Sequence, residues 1–153
     1  MAICDLADLP HSGRLIGIDP GRKTVGLALS DTSRLIASPL MTLERGRKLA
    51  PVLDKLFEQI DAFSSAGLII GLPLNLDGGA SGSTQAAKAF AGQILMKRDI
   101  PIAFQDERWT SAEVERTMLM ADLSRKKRAA RIDSAAAALI LQTALDRMAN
   151  QRL

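Results

Sequence analysis

A chain of 153 residues with 47% hydrophobic and 24% charged side chains has the composition of one globular domain able to bury a core. Its net charge of +3 and pI near 9.4 allow a polyanionic partner without requiring one. A single cysteine excludes an intrachain disulfide and a cysteine zinc cluster, no apolar run nears the ~18 residues of a membrane span, and 3% aromatics argue against a nucleic-acid grip built on stacked rings.

The first residues, MAICDLADLPHSG, lack a basic start and an uninterrupted apolar core, so no signal peptide is expected, and the lone Cys4 suits a reducing cytoplasm. Residues 1–12 read as a short tail, mobile or draped over a domain spanning 13–153. Cys4 is expected in a loose segment, and His11 reads as an exposed histidine without a visible partner. The runs RLIGI and TVGLALS then read as two buried strands. Pro20-Gly21 marks the turn between them, with Gly21 free to take positive φ, so Asp19 falls where the first strand ends. LIASPLMTL reads as a third strand, with Pro39 pointing to an edge or a bulge.

Leu49, Val52, Leu53, Leu56, Phe57, Ile60 and Phe63 recur at helical spacing, predicting a helix from about Gly46 to Phe63. AGLIIGLP follows as a fully apolar strand of the kind buried on both faces. The glycine-rich loop NLDGGASGS leads into a helix near Thr84–Arg98 with Ala87, Phe90, Ile94 and Leu95 inward. PIAFQDE is a further strand ending in acids. TSAE, Thr110–Glu113, has the form of a capping box that starts a helix running to about Ala121. The basic stretch RKKRAAR, Arg125–Arg131, then precedes a long alanine-rich helix beginning near Asp133. Three strands in a meander followed by alternating helices and strands predict an α/β fold: a ribonuclease-H-like, mixed five-stranded sheet with helices on both faces.

Gly21-Arg22-Lys23-Thr24 superficially matches the end of a phosphate-binding P-loop, but the glycine spacing fails and the segment continues as a strand where a P-loop opens a helix. The acids are more telling. Asp19, the pair Asp106-Glu107 and Asp133 fall at tips of elements that should share the carboxyl edge of the sheet, where ligands of open α/β sheets bind. Converging carboxylates need cations, and hard oxygen donors without His or Cys suit Mg²⁺ or Mn²⁺. Two such ions about 3.5–4 Å apart could assist phosphodiester hydrolysis. Asp133 beside an apolar alanine run is either a helix N-cap or a buried ligand. Asp106 and Glu107 cannot both face one side of a continuing strand, and the sequence leaves open which turns inward. Arg108 could grip a phosphate or pair with a neighbouring acid. The five cations of Arg125–Arg131 read as a solvated loop beside the site, where a nucleic-acid backbone would pass.

Together, GIDPGRKTVGLALSD, GLPLNLDG, DERWTSAEVER and KKRAARIDSAAAALILQTALD resemble the YqgF family, also called RuvX: pre-16S rRNA nucleases long described as Holliday junction resolvases. The match keeps the family's order and runs from about Gly13 to Asp146. It implies a ribonuclease-H-like, divalent-metal-dependent endonuclease with catalytic, metal-holding acids at Asp19, Glu107 and Asp133, Asp106 being the alternative second acid. Asn75 of the GLPLN loop and Arg108 would line the site, and Lys126, Lys127 and Arg128 would meet the substrate. Trp109, Pro20 and the GGASGS loop depart from the common family pattern and bear on substrate preference. The expected partner is nucleic acid, precursor rRNA ahead of branched DNA, with no membrane and a monomer or homodimer as the working unit. Competing readings are a junction resolvase, a non-catalytic ribosome-assembly factor and, last, an actin-like phosphotransferase.

Overall fold

The structure is a computed structural model that describes residues 3–72, 82–106 and 125–151, of which 82–83, 125–133 and 151 are described in their backbone only. Two apolar runs joined at Pro20-Gly21 make its first hairpin: β1 (Leu15–Pro20) pairs antiparallel with β2 (Thr24–Ser30), Asp19 opposite Gly26 and Pro20 opposite Val25. β3 (Ala37–Glu44) adds antiparallel to β2. Its register slips where Leu27 faces Met41 but Ala28 faces Pro39, so Leu40 is the extra residue of a bulge. Proline thus sits on an edge strand beside a bulge, as its missing donor requires.

From β3 the chain enters α1 (Ala50–Phe63), later than the apolar spacing suggests because Pro51 fixes the first turn. β4 (Gly67–Leu72) lies parallel to β1, and α2 (Gly82–Lys97) leads to β5 (Ile102–Asp106), parallel to β4. The last helix, α3, runs Arg125–Gln151. The strand order β3-β2-β1-β4-β5 gives the expected mixed ribonuclease-H-like sheet, with α1 and α2 packed on one face and α3 on the other. Ile16, Ile18, Leu68, Ile70 and Ile102 face α1 and α2; Leu15, Ile69 and Ala103 face α3. The helix predicted over 110–121 lies outside the described residues.

Of the two readings of the N-terminal tail, residues 3–12 take the draped one, so Cys4 does not lie in a loose segment: Ile3 bridges Ile102, the Cys4 amide donates to the Ile102 carbonyl at 2.9 Å, and Leu6 and Leu9 are buried. The segment shields the outer edge of β5, which would otherwise expose unpaired backbone; burial and nearby Asp8 raise the Cys4 thiol pKa. The Arg125–Arg131 stretch is not a loop before the last helix but its first two turns, since Lys, Arg and Ala are all strong helix formers.

Candidate active site

The site is built from the carboxyl ends of β1, β4 and β5, which lie side by side in one direction. Strand alternation decides which side chains look toward α3. On β1 these are Leu15, Gly17 and Asp19, because Ile16 and Ile18 belong to the opposite core. Asp19 is half-buried at the strand end. Its in-register neighbour on β2 is Gly26, and on β4 the residue after the Ile18–Ile70 pair is Gly71. Neither neighbour adds a side chain of its own beside the carboxylate. Farther out, Gly26 pairs with Thr42 and Gly71 with Gln105. Thr42, Gly26, Asp19, Gly71 and Gln105 therefore form one row across all five strands, about 19 Å long at the ordinary strand spacing, with Asp19 at its centre.

One end of the row is fixed by Gln105, itself 4% exposed. Its Oε1 accepts a hydrogen bond from Arg147 Nη1 at 3.0 Å, and its Nε2 donates to the Asp106 carbonyl at 3.2 Å. The roof is α3, brought against the sheet by missing side chains: a Cβ placed on Gly17 would stand 2.8 Å from Leu141 Cβ and 3.0 Å from the Ala137 carbonyl oxygen. Ala136, Ala137 and Ala144 are buried along the same contact. Asp133 lies one turn before Ala137 on the same helical row, so its backbone is carried past Gly17 on Asp19's side of the sheet. It stands eight residues into α3, which rules out the N-cap reading.

Asp106 takes the other parity. It follows Ile102 and Phe104, which pack toward α1 and α2, so it sits on the face opposite Asp19. Glu107, Arg108 and Asn75 lie outside the described residues, and Lys126, Lys127, Arg128 and Asp133 are placed by their backbones alone. Among the described residues no three carboxylate, histidine or cysteine side chains come together. Every donor proposed for a metal is a carboxylate oxygen, a donor set suited to a hard divalent cation.

Sequence reasoning passed over Gly26 and Gly71. The signal was present, since a glycine inside an apolar strand marks close approach of another group, but only the register places both beside Asp19. Gly21, by contrast, does not adopt positive φ. It is required because its Cβ would stand 2.7 Å from the Thr24 carbonyl oxygen, to which its own amide donates at 2.9 Å.

Residues 13–147 match the family model described as RuvX: Holliday junction resolvase. A Sphingopyxis alaskensis protein named "Putative pre-16S rRNA nuclease" is 51% identical over 142 residues, covering 93% of this chain and 92% of the relative. Proteins of the same name from Acidiphilium cryptum and Phenylobacterium zucineum are 46% and 43% identical, covering 94% and 98% of this chain and 91% and 99% of their own lengths. Among solved structures, Thermus thermophilus RuvC in complex with Holliday junction substrate superposes with a TM-score of 0.54 at 14% identity, over 89% of this chain and 96% of that one. At that identity the likeness is one of fold.

Proposed function

The chain belongs to the RuvX family, and from that premise we propose that it is a divalent-metal-dependent endonuclease, cytoplasmic, acting in 5′-end maturation of precursor 16S rRNA. The observation that carries the reading is Asp19 at the end of the central strand, flanked by two glycines and roofed by the helix that bears Asp133. The name shared by the relatives supports the substrate.

In this reading Asp19, Glu107 and Asp133 hold Mg²⁺ or Mn²⁺. Bound there, the ions supply an activated attacking water and charge neutralisation at the leaving oxygen. The protein's own part is positional. β1 holds Asp19 at the end of the central strand, Gly26 and Gly71 add no side chain beside it, and Gly17 lets α3 close on the sheet. Asn75 and Arg108 orient the substrate, while Lys126, Lys127 and Arg128, in the first turns of α3, meet its phosphates.

The test is cleavage by purified protein, with Mg²⁺ or Mn²⁺, of an RNA carrying the precursor 16S 5′ end beside a four-way DNA junction, with Asp19→Asn in parallel. Selective RNA cutting that the variant lacks is expected. Symmetric junction cutting alone would transfer the site to the second reading, a dimeric resolvase, which the family description and the RuvC fold favour. Absence of any Asp19-dependent cutting would leave a non-catalytic assembly factor.

A further inference from the structure

The β1–β2 hairpin ends in Arg22-Lys23, both exposed, beyond the Pro20–Val25 pair. β3 returns to the same end of the sheet and continues into Arg45, Arg47 and Lys48. Five cations from two separate loops thus meet on the β2–β3 flank of Asp19. The hairpin tip is anchored there. The Arg45 amide donates to the Lys23 carbonyl at 2.7 Å, Arg45 Nη1 donates to the Gly21 carbonyl at 2.7 Å, and the same guanidinium lies 5.8 Å from the Phe90 ring centroid. Arg45 therefore spends its side chain holding the tip. Arg22, Lys23, Arg47 and Lys48 carry the surface charge, and among the described residues none of the four forms an ion pair with a carboxylate.

The opposite end of the sheet is mixed: Asp5, Asp8, Asp31, Asp61 and Asp99 lie there with Arg14, Arg34 and Arg98, the last paired with Asp61 at 2.8 Å. The four exposed cations near Asp19 are therefore a local cationic edge that favours an approaching polyanion. The tip lies three residues beyond Asp19, at most ~10 Å of chain. That is close enough for one strand to touch both.

We propose that Arg22, Lys23, Arg47 and Lys48 form a phosphate-gripping platform that holds the single-stranded RNA backbone just beside the cleaved bond, on the β2–β3 flank of Asp19. The proposal rests on the nuclease reading for its substrate but not for its surface. Such contacts position the strand and carry no base preference. They act on binding, and the carboxylates act on cutting.

The measurement is fluorescence anisotropy of a labelled single-stranded RNA from the precursor 16S 5′ end, titrated at several salt concentrations, together with metal-dependent cleavage of the same RNA. The variants are Arg22→Gln/Lys23→Gln, Arg47→Gln/Lys48→Gln, and Lys88→Gln/Lys97→Gln on exposed α2 positions as a charge-matched control. Each platform variant should lower the slope of log affinity against log salt by about 1.4, the effect of two lost single-strand phosphate contacts, and raise KM while leaving kcat near wild type. The control should leave the slope unchanged. Platform variants that match the control would overturn the proposal, even if Asp19→Asn abolishes cutting. A lowered slope with no Asp19-dependent cutting would support the platform while the nuclease reading fails. A duplex DNA probe losing as much slope as the RNA would retain the phosphate grip but overturn its assignment to a single RNA strand.

Discussion

Gly17 and Leu141 touch so closely that a Cβ on the glycine would lie 2.8 Å from the leucine Cβ, closer than real Cβ contacts come. The Ala137 carbonyl oxygen stands at 3.0 Å, and both it and the Leu141 Cβ are fixed by the α3 backbone, so a side-chain rotation cannot relieve the overlap. Gly17→Ala is therefore expected to push α3 off the sheet and to lower stability by about 1–3 kcal/mol, the usual range for overpacking. For a chain of this size that is roughly 2–4 °C in Tm per kcal/mol. Leu141→Ala added to it should not rescue, because the offending Cβ remains. Thermal unfolding of the two variants checks both statements, and an unchanged Tm for Gly17→Ala would refute the close contact.

Asp19→Asn should separate metal binding from folding. Outer-shell partners of metal sites cost about 10–100-fold when removed, and loss of a direct ligand should cost at least about 100-fold in cleavage. The fold should survive, since the substitution is nearly isosteric. Wild-type protein should gain Tm on addition of Mn²⁺ by linkage, and the variant should lose that gain. A metal-induced Tm rise equal in the two proteins would place the ion elsewhere.

Much of this arrangement is legible in the residues, and what is not has a physical reason. TVGLALS coincides with β2 from Thr24 to Ser30 because its apolar run is bounded by a turn on either side. Asp19 at a strand end follows from Pro20-Gly21. Gly71 could not be paired with it, because that register depends on a contact between segments about 50 residues apart, and Gly26, seven residues on, is placed opposite it only by the exact length of the hairpin turn. Likewise Leu6 and Leu9 lie in a short stretch rich in acids, and they are buried by sequence-distant residues of one core cluster, among them Leu15 and Ile69 of the sheet and Leu141 and Leu145 of α3. The helical start at Arg125 was recoverable from propensity, but a dense charge run also reads as a loop.

The loop from Asp31 to Ile36 predicts an acid-sensitive element. The Asp31 carboxylate accepts hydrogen bonds from the Leu35 and Ile36 amides at 2.8 and 3.1 Å, and the Ile36 bond is the main cause holding its pKa below the ordinary 3.8. A depressed carboxylate adds stability that is complete above its unfolded value and disappears as pH falls through the folded one. The loss should therefore fall below about pH 4. Asp31→Asn keeps an acceptor but not the charge, so its Tm should lie below wild type at pH 6 and converge with it near pH 2–3. Parallel Tm–pH curves would show that the charge contributes nothing.

A side chain added beside Asp19 should harm chemistry more than folding. Gly71→Ala puts a methyl group on the α3 face beside Asp19, inside a strand where alanine costs less chain entropy than glycine. We expect cleavage to fall at least about tenfold while the unfolding transition stays cooperative. Activity equal to wild type would mean that substrate does not enter over β4.

Alternation along β5 separates the two adjacent acids at its end. Asp106 shares parity with Ile102 and Phe104, on the α1 and α2 side of the sheet, and the next residue in a continuing strand turns to Asp19's side. Glu107→Gln should therefore reduce metal-dependent cleavage by about 100-fold or more, as Asp19→Asn does, and should abolish the Mn²⁺-induced rise in Tm. Asp106→Asn should keep cleavage within about threefold of wild type and retain that rise, although its Tm without metal can shift because Asp106 has interactions of its own. The reverse pattern, with Asp106 essential and Glu107 dispensable, would mean that the chain bends at the end of β5 and presents the strand's last residue to the site.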